Sequence, residues 1–232
     1  MKIKRLLSIF ANKVFGAQKI NDIKESFRSR MILKHGDSIL RMLSDYFEKK
    51  NTDYWLIFGS LLGAYREHGF IKHDDDIDLA MFCSDITANF IKDMEGLGLT
   101  FVSVKSTNDG VFRMASFKYK SIVLDFYGFN LNKDNTITGF SSVPLSGKTY
   151  GECKQINKYG VYLINYPYEG LKSVKFNDYF VRIPVNTPYI LEGLYGLDYM
   201  TPIKGEKGYE SKISVTLPEE KCYASIISVD AL

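Results

Sequence analysis

The chain has 232 residues, of which 45% are hydrophobic and 14% aromatic, enough to bury the core of one large domain. Charged residues make up 25% of the chain and leave a net charge of +3, which excludes a disordered chain and gives no sign of a nucleic-acid partner. The three cysteines are widely separated and form no Cys-x-x-Cys, so they favour a reducing compartment over a disulfide framework or a zinc site. We therefore expect a globular, cytoplasmic protein.

The first 50 residues predict two helices. Apolar residues recur at helical spacing from Ile3 to Ala17, and lysines and arginine lie mostly on the other side, which is typical of a basic amphipathic helix. Such a helix can either pack on the domain or contact an anionic membrane surface, which here would be the inner face of the cell membrane. A second helix is expected from about Asp22 to Lys50, with a break near Gly36.

A strand, a tight turn and a helix are predicted next. Tyr54–Phe58 is a short apolar run that ends at Gly59-Ser60, and Leu61–Glu67 returns to helical character. In the following segment Ile77, Leu79 and Met81 alternate with Asp76, Asp78 and Ala80. This alternation predicts a strand with two carboxylates on one face.

After residue 82, some segments have a clear helix or strand pattern and others have only a weak one. A helix is expected at Asp85–Gly96, and three β-branched and aromatic runs predict antiparallel strands. Residues 131–175 give only strand fragments, such as Gly160–Ile164. The later predictions are a strand at Phe176–Ile183, a helix at Thr187–Gly196, and an irregular tail after Pro202.

These patterns divide the chain into three parts: an amino-terminal helical segment (1–50), a central domain (51–202), which carries the candidate catalytic residues described next, and a carboxy-terminal tail (203–232). We expect an α/β (α+β) fold, a mixed β-sheet flanked by helices.

The acidic segment His73-Asp74-Asp75-Asp76-Ile77-Asp78 carries the strongest chemical signal. Four carboxylates within five positions repel one another unless a cation or a basic substrate compensates them. Asp76 and Asp78 suit Mg²⁺, which prefers a few carboxylates together with substrate phosphates and water. A third acid, Asp125, lies in an apolar strand and meets the first two if the strands are neighbours. A solvated acidic loop, with Asp74 and Asp75 only shaping it, is the alternative.

Phosphate-binding groups precede and follow these acids. Gly59 and Ser60 offer backbone amides and a hydroxyl at a helix start, where anions are favoured. Arg66 lies two turns along that helix, and Lys72 comes just before the acidic run. Together these residues indicate phosphoryl transfer at a metal centre of Asp76, Asp78 and Asp125.

The segment Phe58-Gly-Ser-Leu-Leu-Gly-Ala-Tyr-Arg-Glu-His-Gly-Phe-Ile-Lys-His-Asp-Asp-Asp-Ile-Asp78 resembles the signature of the LicD family, G-T/S-L-L-G-A-x-R-x-x-G-F-I-P-x-D-D-D-I-D. The resemblance extends to Val123-Leu-Asp125 and to Tyr195-Gly196 with Pro202, so it covers about 54–202. In two positions the chain departs from the signature, since Lys72 replaces the usual proline and His73 stands where tryptophan is frequent.

The resemblance implies a nucleotidyltransferase-type fold and a phosphotransferase of the LicD and fukutin kind. It implies that Asp76, Asp78 and Asp125 bind Mg²⁺ (or Mn²⁺), and that Gly59, Ser60 and Arg66 belong to the phosphate pocket. The expected reaction moves a phosphocholine-like group from a CDP-activated donor to a glycan or lipid-linked glycan of the cell surface, such as lipopolysaccharide, teichoic acid or capsule. Two alternatives stay open: transfer of a nucleotide to a small molecule, and a catalytically silent glycan- or nucleotide-binding module.

Overall fold

The protein is described by a computed structural model that covers residues 17–107, 109–202 and 214–225. The predicted amphipathic helix at Ile3–Ala17 and the tail residues 203–213 lie almost wholly outside this part of the chain. No helix in the described part has the length and apolar character needed to cross a bilayer.

Eight strands form a mixed sheet, and the pairing of two of these strands determines where the acidic residues lie. Its order is β1-β2-β5-β4-β3-β10-β7-β6, and β5 also pairs with β6. Only β2 and β5 are parallel among the described pairings. The strands are β1 (Tyr54–Leu56), β2 (Asp76–Phe82), β3 (Thr100–Ser106), β4 (Phe112–Tyr119), β5 (Ile122–Leu131), β6 (Thr136–Val143), β7 (Tyr159–Pro167) and β10 (Ser214–Ser225).

The additional pairing of β5 with β6 closes part of this sheet. Six strands, β3, β4, β5, β6, β7 and β10, then follow one another in a ring of antiparallel neighbours. β1 and β2 extend from the ring along β5. A separate hairpin consists of β8 (Leu171–Phe176) and β9 (Tyr179–Pro184).

The helices are α1 (Ala17–Lys50), α2 (Phe58–Leu62), α3 (Ala88–Gly96), α4 (Tyr150–Ile156) and α5 (Thr187–Tyr195), with a π-helical turn at Gly63–Glu67 and a 3-10 turn at Cys83–Asp85. Helix α3 is capped at Thr87, whose hydroxyl accepts a hydrogen bond from the Phe90 N–H at 3.2 Å. A capping box of Thr149 and Glu152 begins α4.

Helices α1 and α3 pack on one face of the sheet. Phe126 of β5 contacts Phe47 of α1 and Phe90 of α3, with ring centroids 6.3 and 5.1 Å apart. Phe126 alternates with Asp125 and Tyr127, so these two residues lie on the opposite face. Helices α1 and α3 therefore do not cover the face of β2 and β5 that carries the acidic residues.

Helix α1 runs unbroken through Gly36, so the predicted interruption there is wrong. The glycine serves a packing contact, because a Cβ at this position would lie 2.5 Å from the ring of Phe70. The close approach of an aromatic ring, and not a turn, accounts for this glycine.

Other differences fall where the sequence pattern is weakest. Gly59-Ser60 is not a turn before the helix but already part of α2. The predicted strand at Phe176–Ile183 contains the turn of the β8–β9 hairpin, since Phe176 pairs with Tyr179. Strands β6, β7 and β8, together with helix α4, occupy most of the segment for which only fragments were predicted, and β10 forms a strand within the expected irregular tail.

Candidate active site

The parallel pairing of β2 with β5 brings three carboxylates together. Asp78 lies directly opposite Asp125 in the register, and Asp76 is two residues earlier on the same face of β2. Oxygen atoms of Asp76, Asp78 and Asp125 all lie within 4.8 Å of one another. We refer to these three residues as the carboxylate cluster.

The cluster is held by neighbouring hydroxyl groups but is not neutralised by them. Tyr127 donates a hydrogen bond to the carboxylate of Asp78, and Ser116, which pairs with Asp125 across β4 and β5, donates to Asp125. Asp78 is only 6% exposed. In the part of the chain that the structure describes, the buried Oδ1 of Asp78 and the buried Oδ1 of Asp125 have no hydrogen-bond partner. Buried carboxylate oxygens without partners are costly, so this arrangement fits a bound cation.

Burial and mutual repulsion shift the acid–base behaviour of these groups. Desolvation, followed by repulsion from Asp74, Asp125 and Asp75, raises the pKa of Asp76 to about 8. The same two causes raise the pKa of Asp78 well above its ordinary value. Desolvation also raises the pKa of Asp125. A metal ion bound by these three residues would oppose the shifts, because a cation favours the ionised form of every carboxylate that it contacts.

Asp74 lies beside the start of α2. A Cβ at Gly59 would lie 2.7 Å from Oδ2 of Asp74, so the absence of a side chain lets this carboxylate approach the helix. Burial and the nearby Asp75 raise the pKa of Asp74 to about 7. Gly59 is thus in contact with Asp74, the first carboxylate of the acidic segment Asp74–Asp78.

Ser60 links α2 to β2. Its hydroxyl accepts a hydrogen bond from the backbone N–H of Asp78 at 3.0 Å, and Ser60 is 2% exposed. This bond fixes the backbone at the most buried acid of the cluster.

Asp75 differs from its neighbours because it has a basic partner. It forms a salt bridge with Arg28 of α1. The pair ties the acidic loop to the long helix and leaves Asp75 outside the carboxylate cluster.

Two of the predicted phosphate-binding residues lie apart from these contacts. Arg66, with a side chain only 10% exposed, pairs with Glu67 and donates to the backbone carbonyl of Tyr199 at 3.0 Å. Lys72 is exposed in the turn before the acidic loop. Their role in phosphate binding stays a prediction.

Sequence reasoning missed Tyr127, Ser116 and Arg28. The period of two that was used for Asp76 and Asp78 applies equally to Asp125 and Tyr127, so Tyr127 carried a signal. No local signal identifies Ser116 or Arg28, because both reach the site only through tertiary contacts.

Residues 51–186 match the family described as LicD/FKTN/FKRP, nucleotidyltransferase domain, which is more than half of the chain. The chain belongs to this LicD/FKTN/FKRP family. The match contains all three members of the carboxylate cluster as well as Gly59 and Ser60. The predicted nucleotidyltransferase-like fold class, with its mixed sheet and flanking helices, is therefore confirmed.

Two mammalian relatives are similar to most of this chain. The chain is 23% identical over 192 residues to the ribitol-5-phosphate transferase FKTN of Mus musculus, covering 83% of this chain and 38% of the relative. The FKTN of Homo sapiens is 23% identical over 171 residues, covering 74% of this chain and 34% of the relative. The chain thus spans little more than a third of the length of these relatives.

A solved structure is also similar in part. The lincosamide antibiotic adenylyltransferase LnuA, bound to lincomycin, superposes with a TM-score of 0.38 and 17% identity, covering 61% of this chain and 75% of that chain.

Proposed function

We propose that this LicD family member is a metal-dependent phosphotransferase, which moves a phospho-alcohol group from a CDP-activated donor to a hydroxyl of a cell-surface glycan. The observation that carries the proposal is the cluster of three carboxylates within 4.8 Å in the family's nucleotidyltransferase domain. The activity for which the FKTN relatives are named, ribitol-5-phosphate transfer, is of the same class.

The residues of the cluster fit a divalent cation. Asp76, Asp78 and Asp125 offer hard oxygen ligands, and two of their buried oxygens have no hydrogen-bond partner among the described residues. Mg²⁺ or Mn²⁺ bound there would supply charge neutralisation for the transferring phosphoryl group.

The chain's own residues orient and deprotonate the reactants. The acceptor hydroxyl attacks the β-phosphorus of the donor, the bond from that phosphorus to the bridging oxygen breaks, and CMP leaves with the electron pair. Asp125 takes the proton of the acceptor hydroxyl if it is not fully engaged as a ligand. Ser60 holds the backbone of Asp78. The family signature implies that Gly59 and Arg66, together with Lys72, bind the donor phosphates, and this role is part of the proposal.

The transferred alcohol is the open part of the proposal. A phosphocholine-like group suits the family signature, and ribitol phosphate suits the FKTN relatives. The acceptor would be a glycan or a lipid-linked glycan such as a lipopolysaccharide, teichoic acid or capsule precursor.

A matched donor panel tests the reaction. CDP-choline, CDP-ethanolamine, CDP-glycerol and CDP-ribitol are incubated with crude glycan and Mg²⁺ or Mn²⁺, and released CMP is measured. One donor should give CMP in a reaction that stops with EDTA. ATP and CTP tested with small alcohols separate the rival reaction, since nucleotide transfer releases pyrophosphate. A silent binding module gives neither product.

Asp178→Asn provides the control for the loss of a carboxylate. Asp178 is exposed, pairs with Arg41 and lies in the β8–β9 turn away from the cluster. This variant should keep the wild-type rate, whereas Asp78→Asn should release no CMP.

We place the reaction in the cytoplasm, with the predicted amphipathic helix as a contact to the membrane face. This contact depends on residues outside the described part of the chain. Co-sedimentation with anionic liposomes, comparing the full chain with a chain that begins at Ala17, tests it. Equal binding of the two would assign the amino-terminal residues another role.

A further inference from the structure

Lys105 lies on the same sheet face as the carboxylate cluster. It pairs with Met114 across β3 and β4, and Met114 pairs with Tyr127 across β4 and β5. Tyr127 is two residues from Asp125 and therefore points to the same side of β5. The strand register therefore places Lys105 on the face of the sheet that carries the carboxylate cluster, in line with Met114 and Tyr127.

The ammonium group is half-buried and only partly bonded. Its Nζ donates to the hydroxyl of Ser142 on β6, lies 3.8 Å from the sulfur of Met114, and sits 5.1 Å from the ring centroid of Tyr159. An ammonium group has three protons to donate, and a thioether and an aromatic ring are weak acceptors. Among the described partners, only the Ser142 hydroxyl is a strong one.

The lysine is electrostatically linked to the cluster without being paired to it. Burial raises the pKa of Asp125, and the positive charge of Lys105 opposes this increase. Among the side chains that the structure describes, none is a carboxylate within 4.0 Å of Nζ. A cation is therefore held on the same sheet face as the acids, and no described carboxylate oxygen lies close enough to form a salt bridge with it.

A phosphate has the chemistry that fits between a bound divalent cation and an ammonium group. Its oxygens can contact both positive groups, and a lysine is a frequent phosphate ligand. We propose that Lys105 binds a phosphate oxygen of the CDP-linked donor, opposite the metal held by the carboxylate cluster. This inference rests on the proposed function and adds a donor-binding residue from β3, a strand that lies outside the signature segment.

The alternative role for Lys105 is structural, as a counter-charge for Asp125. The two roles differ in their effect on metal binding. If Lys105 binds phosphate, removing its charge weakens the binding of CDP but relieves repulsion of a cation at the cluster. If it only supports the fold, metal affinity, CDP affinity and melting temperature fall together.

The test measures two affinities in the full-length protein. Mn²⁺ binding is titrated by electron paramagnetic resonance, and CDP binding in saturating Mn²⁺ is measured by calorimetry. Lys105→Met and Lys105→Gln remove the charge, and the glutamine can keep the hydrogen bond to Ser142. Lys105→Arg keeps the charge. Lys175→Met is the control, because Lys175 is an exposed strand residue of the separate β8–β9 hairpin.

We expect both neutral variants to bind CDP at least tenfold more weakly and Mn²⁺ as tightly as wild type or up to a few-fold more tightly. Lys105→Arg should stay within about fivefold of the wild-type CDP affinity, and Lys175→Met should match wild type in both titrations. The inference is overturned if the neutral variants bind CDP normally, or if Mn²⁺ and CDP affinity fall in parallel. Failure of both neutral variants to fold while Lys105→Arg folds would also overturn it, since the fold itself would then need the charge.

Failure of the proposed function gives a different result. If the wild-type protein shows no Mn²⁺-dependent binding of CDP, the metal-assisted use of a CDP donor is wrong. If wild type binds CDP with Mn²⁺ and the neutral variants do so equally well, only the role of Lys105 is wrong.

Discussion

We expect each aspartate of the carboxylate cluster to destabilise the metal-free protein and to be needed for the proposed reaction. Asp78→Asn removes the ionisable carboxyl from a buried site where, within the described ranges, Oδ1 has no hydrogen-bond partner. We expect transfer to be lost, Mn²⁺ affinity to fall at least tenfold, and the metal-free melting temperature to stay level or rise by a few degrees, because like-charge repulsion decreases. Calorimetric scans in EDTA together with CMP release check both effects. Substantial turnover by this variant would remove Asp78 from the catalytic centre.

Gly59 is a second residue at which the structure makes a specific prediction. In Gly59→Ala the new methyl group would lie 2.7 Å from Oδ2 of Asp74, so the acidic loop must shift. We expect at least a tenfold loss of transfer rate. Gly96→Ala is the matched control, because Gly96 is also helical and a Cβ there meets nothing within 4 Å. The control should keep its activity and gain up to about 1 kcal/mol of stability from helix propensity. Equal activity of the two variants would contradict the contact between Gly59 and the loop.

The ring of six strands depends on a short pairing between β5 and β6. It consists of three residue pairs, and in one of them the Phe129 side chain lies over Gly139. A Cβ at Gly139 would lie 2.1 Å from Cζ of that ring. Gly139→Ala should therefore reduce the free energy of unfolding by roughly 1–3 kcal/mol. Chemical denaturation measures this loss.

A double variant separates overpacking from other effects of the alanine. Phe129→Leu removes the ring atoms that clash with the new methyl group, so the double variant should lose less stability than the sum of the two single losses. A strictly additive result would mean that the β5–β6 contact is not as close as the structure places it.

Elements with a strong period could be predicted from the sequence, and elements without one could not. The alternation around Ile77 predicted β2 and the shared face of Asp76 and Asp78, both of which the structure shows. Of the strands that close the ring, β6 and β10 were missed, and β7 was predicted only as the fragment Gly160–Ile164. Each of these strands contains a glycine or a proline, at Gly139, Gly160 and Pro218, which weakens the strand pattern. Such strands are held by their neighbours in the ring, which a local pattern does not contain.

The same limit applies to the site. The signature segment and Asp125 could be identified from residue types, since an acid in an apolar strand is unusual. Lys105 could not, because its position beside the cluster follows from the pairing of three strands across β3, β4 and β5.

At the scale of the whole molecule, the raised pKa values predict how stability depends on pH. The pKa of Asp74 is about 7 and that of Asp76 about 8 in the folded protein, both raised from 3.8. The folded protein then binds more protons than the unfolded chain between about pH 4 and 8, so the contribution of these groups to stability falls as the pH rises through this range. In EDTA we expect the melting temperature to decrease from pH 5.5 to 8.5.

The divalent ion should oppose this decrease. Because metal binds the ionised carboxylates, Mn²⁺ should raise the melting temperature more at pH 8.5 than at pH 5.5. In Asp76→Asn the decrease in EDTA should be shallower, which separates the cluster from other titrating groups. A stability profile that is the same with and without the substitution would contradict the assigned pKa shifts.

The most direct test of the account locates the metal and the nucleotide in the protein. Crystals grown with Mn²⁺ and CDP, measured near the manganese absorption edge, give the position of the ion from its anomalous signal. We predict an anomalous peak between Asp76, Asp78 and Asp125, with oxygens of the diphosphate in contact with it. A manganese ion bound elsewhere, or CDP bound away from these three carboxylates, would contradict the central claim that they form the metal centre for phosphoryl transfer.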